Sequence, residues 1–155
     1  MIRRILTQVA EALSASGSTQ TDEATRQWAL QMATAVLMVN VARADHVFDE
    51  SEFDSVLQLV QSHFGLEAEQ AAALFNAANE KVDDLVSVHE FTQLLHEHLD
   101  EEEKARIVAM LWRIAYADGR LDKFEDALVL KISDLLYVSR GLVMRLKDDA
   151  AKAAG

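Results

Sequence analysis

No proline occurs anywhere in the 155 residues of this chain, and only five residues are glycine. Proline and glycine mark turns more strongly than other residues, and a β-rich fold needs turns at short intervals. Alanine, leucine, glutamate and glutamine recur throughout, and these residues favour helices. Half of the residues are hydrophobic, enough for one domain of this length to bury a core. The composition therefore predicts an all-α fold.

The chain carries a formal net charge of −11 at pH 7. So acidic a surface repels nucleic acid and anionic lipid headgroups, and favours cations or basic partners. Cysteine is absent, so the chain has no disulfide, thiol nucleophile or thiolate ligand, which fits a reducing compartment. The most apolar segment, residues 29–44, includes polar side chains and falls short of the ~18 apolar residues of a membrane span. We therefore expect a cytoplasmic protein without a transmembrane segment.

Hydrophobic residues recur at helical spacing along the chain and predict seven or eight helices. The predicted helices cover residues 2–14, 22–43, 50–64, 67–80, 87–99, 100–118 and 123–137, with a last one after Ser139. The polar stretch SASGSTQT at 14–21 is a connector. It separates an N-terminal helix and connector (1–20) from a helical domain (21–155). The apolar face of the first helix is a candidate surface for homodimer formation.

Several side chains are assigned from their neighbours. Trp28 and Trp112 lie on apolar stripes and are predicted core residues. His89, His96 and His98 are predicted to be solvated surface histidines. Gly65 and Gly119 are expected to end the helices that precede them. The tail DDAAKAAG (148–155) is expected to fray.

Two acidic stretches resemble each other, RADHVFDESEF at 43–53 and YADGRLDKFED at 116–126. At a constant offset, Asp45, Asp49 and Glu52 in the first correspond to Asp118, Asp122 and Glu125 in the second. Apolar residues on the flanking helices match at the same offset. The chain therefore predicts two copies of one unit of helix, acidic loop, helix, short turn and helix, related by an internal pseudo-twofold axis.

The six acidic residues allow two interpretations. In one, Asp49 and Asp122 are helix N-caps, and a glutamate three residues later completes a capping box. In the other, the carboxylates of each loop converge on a hard divalent cation, calcium or magnesium. The spacing is not that of an EF-hand, so the affinity would be low and water would complete the coordination shell. Both interpretations stay open at the level of sequence.

The phrase ADGRLDKFED, following the apolar helix that ends LWRIAYADG, resembles the tellurite-resistance TerB family. So does the twofold plan of helix, acidic loop and helix, with YVS before the last helix; the likeness covers about residues 25–148. The resemblance implies an all-helical TerB-like domain of a bacterial cytoplasmic protein, with relatives tied to tellurite and metal stress. Related domains occur beside a membrane-anchored J-domain co-chaperone.

The family's suspected cation ligands are acidic residues at these loop positions. In this chain they correspond to Asp45, Asp49, Glu52, Asp118, Asp122 and Glu125. His46 replaces the glycine that the second loop keeps as Gly119. The resemblance therefore implies a stronger site in the second loop than in the first.

Enzymatic motifs are lacking in the sequence. His89 and Glu90 begin an H-E-x-x-H pattern, but residue 93 is Gln, so the zinc-protease motif fails. No Gly-rich phosphate loop or nucleophile elbow occurs. Reducing a tellurium oxyanion would need thiols or a redox cofactor, and binding the anion directly would oppose the charge of −11. A metal-activated hydrolase would need a pocket beside the acidic loops.

The sequence therefore predicts a non-enzymatic module that binds a divalent cation weakly and acts as a protein-interaction platform in metal or tellurite stress. Any membrane association would occur only through partners. The alternative is a purely protein-binding scaffold or co-chaperone-type module whose acidic loops serve only as helix caps.

Overall fold

The computed structural model describes residues 20–44, 50–82, 89–117 and 121–154, and the side chains of 27–44, 53–80, 89–117 and 121–153. All regular structure within these ranges is helical, which confirms the predicted all-α class. The seven described helices are α1 Gln20–Ala42, α2 Glu50–Phe64, α3 Ala68–Val82, α4 His89–His98, α5 Glu101–Ala115, α6 Lys123–Leu135 and α7 Arg140–Ala154. The predicted helix at 2–14 lies outside the described residues, and the division between 1–20 and 21–155 stays a prediction.

Helix α1 is the centre of the bundle and packs against α2, α3, α4, α5 and α6. Its sequence is apolar most of the way round, so it can bury several faces at once. From Ala29 to Ala42 most of its side chains are buried, and Ala33, Val36 and Leu37 are fully so. Helix α5 packs on α1 and on α7, and its Trp112 is also fully buried. The assignment of Trp112 to the core is therefore confirmed.

Among the described helix ends, two carry a residue with positive φ. Gly65 follows α2 with φ 66°, and the N–H of Leu66 donates to the carbonyl of Gln61 at 3.1 Å. Tyr137 follows α6 with φ 60°, and the N–H of Val138 donates to the carbonyl of Ser133 at 3.1 Å. Both are Schellman-type ends, in which the left-handed residue lets later N–H groups satisfy carbonyls of the last turn. The predicted stop at Gly65 is confirmed.

Side chains define the starts of α5 and α7. The Glu103 N–H donates to Asp100 Oδ1 at 2.8 Å, while Glu103 Oε1 accepts from the Asp100 N–H at 3.1 Å. This reciprocal capping box satisfies two N–H groups that a helix start would leave without partners. The Leu142 N–H donates to Ser139 Oγ at 3.4 Å, so Ser139 caps the helix that was predicted to begin after it.

Three predictions were wrong: the burial of Trp28, the end of α5 and the fraying of the tail. Trp28 is 39% exposed because it lies in the first part of α1, before the buried segment that begins at Ala29. Helix α5 ends at Ala115, before Gly119, with Tyr116 as its C-cap. The tail is helical through Ala154, because α7 packs along α5 and buries Ala150 there.

Candidate functional site

The six acidic residues predicted as cation ligands are only partly described. Asp45, Asp49 and Asp118 lie outside the described residues, as does the side chain of Glu52, whose backbone belongs to the first turn of α2. Asp122 and Glu125 are described, and both lie at the start of α6. Within the described side chains, no group of three or more His, Asp or Glu residues is arranged to hold a metal.

Asp122 is the N-cap of α6. Its backbone is extended, with φ −77° and ψ 144°, and its Oδ2 accepts the Phe124 N–H at 2.8 Å. The bond satisfies one of the N–H groups that the first turn leaves open, and the carboxylate lies at the positive end of the helix dipole. The N-cap role predicted for Asp122 is therefore confirmed.

Glu125 is a buried acidic residue, with 6% of its surface exposed. It lies one turn before Val129, which is fully buried, so both side chains lie on the core-facing side of α6. A carboxylate that is buried this far needs an interaction partner, and Glu125 has one. The first turn of α6 thus carries one carboxylate in a cap and another inside the protein.

Beside this turn, three polar contacts hold α6 against α5 and α7. Lys147 Nζ forms an ion pair with Asp126 Oδ1 at 2.7 Å and lies 5.3 Å from the centre of the Trp112 ring. Trp112 Nε1 donates to the carbonyl of Val143 at 3.1 Å. The ion pair, the cation–π contact and the hydrogen bond together connect α5, α6 and α7.

Lys104 is a buried cation that the sequence reading overlooked. It is 1% exposed, and its Nζ lies 3.0 Å from His96 Nδ1 and 3.0 Å from Glu101 Oε1. The ring of His96 contacts the ring of Tyr137, with 4.5 Å between centroids. His96 is therefore half-buried and bonded, so its prediction as a solvated surface histidine was wrong.

The spacing of apolar residues along α5 predicts that Lys104 is buried. Ile107, Val108 and Leu111 follow it three, four and seven residues later, and all are buried. A residue at that spacing lies on the same stripe of the helix, whatever its charge. The lysine could therefore have been placed in the core by position, with its head group requiring partners.

His63, near the end of α2, is half-buried beside α5. Burial lowers the pKa of His63 below its ordinary value of 6.5, and the positive charge of Arg106 lowers the pKa further. The rings of His63 and Phe64 pack in a T-shaped arrangement, with 4.8 Å between their centroids. The imidazole is therefore held in its neutral form at pH 7.

A groove follows α5 where α2 and α7 flank it. One cavity of about 430 Å³ lies at the C-terminal end of α5. It is lined by Ser55, Gln58, Leu59, Arg113, Tyr116, Ala117, Ala150 and Ala153. Tyr116 and Ala117 directly precede the second acidic loop in the sequence, so the last two described residues before that loop line this cavity. None of its described lining residues is a histidine or a carboxylate, the groups that would activate a water for hydrolysis.

These features define an all-helical domain with a buried central helix and an acidic turn that opens α6. Residues 31–148 match the family described as tellurite resistance protein TerB, and the chain belongs to this family. No helix in the described part of the chain has the length and apolar character needed to span a membrane.

The crystal structure of a protein of unknown function, PG1108 from Porphyromonas gingivalis W83, has a similar fold. The two superpose with a TM-score of 0.56 at 24% sequence identity, over 79% of this chain and 95% of that one. No curated protein gives a significant match to this chain.

Proposed function

We propose that the protein is a non-enzymatic TerB-like module that binds a divalent cation weakly at its acidic loops and provides a docking platform for protein partners. The observation that supports it is the start of α6 in a member of the TerB family. There, Asp122 and Glu125 are three residues apart in the sequence, at the N-cap and in the first turn of the helix. They directly follow the loop that contains Asp118.

Carboxylate and carbonyl oxygens are the ligands that calcium and magnesium prefer in proteins. Asp122 uses Oδ2 to cap α6, and Oδ1 takes no part in that bond. The positive end of the α6 dipole opposes a cation at the same place, so the affinity should be low. Calcium fits such a site better than magnesium, because it accepts irregular coordination and water ligands.

The proposal places a weaker, equivalent site in the first loop, formed by Asp45, Asp49 and Glu52. Glu52 belongs to the first turn of α2, as Glu125 belongs to the first turn of α6. His46 stands where the second loop has Gly119, and a residue with a Cβ adopts left-handed backbone less readily than glycine.

The biological setting is part of the same proposal: a bacterial cytoplasmic protein that acts in the response to metal or tellurite stress. The chain contains no cysteine, so a direct thiol reduction of tellurite is not proposed for it. A role in tellurite resistance would then act through cations or through protein partners, among them a second copy of the chain.

The second candidate function is a purely protein-binding scaffold, whose acidic residues only stabilise helix starts. The Asp122 N-cap bond favours it, because that bond alone explains an aspartate at this position. The two candidates differ in what a divalent cation does to the loops.

Titration of the full-length ¹⁵N-labelled chain with calcium and then magnesium separates them. We expect saturable shifts at residues 118–126, with a dissociation constant of the order of millimolar. Asp118→Asn should weaken binding several-fold. The matched control Asp134→Asn changes the same charge at the far end of α6 and should leave binding unchanged. If neither loop shows a saturable shift at about 10 mM of either ion, only the scaffold remains.

A further inference from the structure

Two neighbouring cavities meet at Arg113, on the outer side of α5. The cavity of about 430 Å³ at the C-terminal end of α5 shares Arg113 and Ala150 with a second cavity of about 350 Å³. The second is also lined by His63, Arg106, Ala109, Met110, Leu146 and Asp149. Their sizes fall within the range of small-molecule sites in proteins.

The Arg113 side chain is exposed and, among the described residues, takes part in no ion pair or hydrogen bond. Arg106, two turns earlier on α5, instead pairs with Glu102 at 2.9 Å. A guanidinium offers two parallel N–H donors that match a carboxylate. Arg113 therefore offers to both cavities a guanidinium that pairs with no carboxylate among the described residues.

The rest of the wall combines aliphatic side chains with polar ones such as Gln58 and Tyr116. Leu59 from α2 and Ala150 and Ala153 from α7 line the larger cavity. Met110 and Leu146 line the smaller one. Alanine on α7 leaves the space that a larger side chain would fill. The walls can therefore cover the apolar body of a ligand whose acidic end lies at Arg113.

The charges around the groove favour a ligand with a single negative charge over one with several. Asp149 lines the smaller cavity, and the whole chain carries −11, so a nucleotide or another multiply charged anion is repelled. His63 stays neutral beside Arg106 and adds no second cation at neutral pH. Arg106, the second guanidinium at the smaller cavity, is paired with Glu102, so Arg113 is left to face the carboxylate of the ligand.

We propose that this groove binds a small organic acid with one carboxylate and an apolar body, with the carboxylate on Arg113 and the body against Leu59 and Ala150. Neither the cation sites nor the docking of a protein partner is needed for this binding. The proposal therefore stands or falls independently of the function proposed above.

The test uses the full-length ¹⁵N-labelled chain in the presence of EDTA, so that divalent cations play no part. The acid probes are 4-phenylbutyrate and octanoate, and the matched neutral probe is 4-phenylbutyramide. We expect saturable shifts at residues 113–117 and 150–153 with either acid. The dissociation constants should be of the order of millimolar, and the amide should bind at least about tenfold more weakly.

Variants identify the two parts of the site. Arg113→Gln should weaken binding of the acids about tenfold, to the level of the amide. Arg145→Gln removes an exposed arginine of α7 that lines neither cavity, and should leave binding unchanged. Ala153→Phe should abolish binding by filling the larger cavity, whereas Lys152→Phe, its exposed neighbour, should not. Shifts that do not saturate with either acid, equal binding of acid and amide, or full binding by Arg113→Gln would overturn the proposal.

Discussion

At the scale of single residues, Lys104 combines a core position with a charged end. Its Nζ has one half-buried partner, His96, and one partner on the surface, Glu101, which is 79% exposed. The aliphatic stem of a lysine packs like an apolar side chain while its head group reaches toward polar partners. The stability that Lys104 contributes should therefore come more from the stem than from the charge.

Replacing Lys104 by methionine tests whether the stem or the charge contributes more to stability. Lys104→Met keeps a long flexible chain and removes the desolvation cost of the ammonium, so we expect the free energy of unfolding to change by about 1 kcal/mol or less. Lys104→Ala removes the stem and should cost about 2–4 kcal/mol. Urea denaturation at pH 7 measures both values. Equal losses in the two variants would show that the ammonium dominates.

The titration of His63 provides a second prediction. Arg106→Gln removes one of the two causes that lower the pKa of His63, so the pKa measured by NMR should rise toward 6.5. Burial persists in the variant, so the return should be partial. Arg140→Gln removes an arginine that pairs with Asp134, and serves as the control. An unchanged His63 pKa in Arg106→Gln would contradict the assignment of that charge.

The lowered pKa also gives the sign of a stability effect. Well above pH 6.5, His63 is neutral in both the folded and the unfolded chain. As the pH falls from there through the lowered pKa, the unfolded chain takes up the proton first, so this contribution to stability is lost. His63→Gln should remove that part of the acid sensitivity.

At the scale of elements, helix ends were predicted where the signal is local. Gly65 and Ser139 act through their own backbone or side chain within one turn, so the sequence alone predicted the helix boundaries at both. Tyr137 follows α6 in the same left-handed conformation as Gly65. Tyrosine rarely adopts this conformation, so the sequence does not predict the helix end there. Trp28 was wrongly assigned to the core because an apolar stripe alone does not show which part of a helix its neighbours cover.

The candidate site could be predicted in the same local sense. The N-cap at Asp122 follows from an aspartate placed just before an amphipathic helix. The groove around Arg113 could not be predicted, because it depends on how far α2 and α7 stand from α5. Distances between helices are set by side chains far apart in the chain. The internal pseudo-twofold repeat stays a prediction.

Two glycines provide matched tests of helix geometry. Gly65 has φ 66°, whereas Gly141 lies in the first turn of α7, and a Cβ built on either meets nothing within 4 Å. Gly65→Ala should therefore destabilise the fold by about 1 kcal/mol through backbone strain alone. Gly141→Ala should stabilise it by about 0.5–1 kcal/mol, because alanine restricts the unfolded chain and favours the helix. Thermal unfolding of both variants checks the opposite signs.

At the scale of the whole molecule, the charge of −11 works against the compact state. Carboxylates that fold into one small domain repel each other, and salt weakens that repulsion. Raising the ionic strength from about 0.01 to about 0.15 M shortens the screening length from about 30 to about 8 Å. The melting temperature should therefore rise with sodium chloride.

A comparison at constant ionic strength separates general screening from a specific ion site. Replacing part of the sodium chloride by calcium chloride should raise the melting temperature further if calcium binds the folded chain. Asp118→Asn should remove the additional rise and keep the effect of sodium chloride. A melting temperature that falls with added sodium chloride would contradict the role given to net charge.

The central position of α1 affects how the molecule opens. Since five other helices rest on α1, its amide hydrogens can reach water only after most of those neighbours have separated. Hydrogen exchange along Ala29–Ala42 should therefore proceed only as fast as the entire bundle comes apart, whereas α7, at one side, can exchange through smaller openings. A partner or ligand that binds α7 would then slow amide exchange in that helix selectively. The slowest-exchanging amides, in α1, would continue to report on the stability of the whole fold.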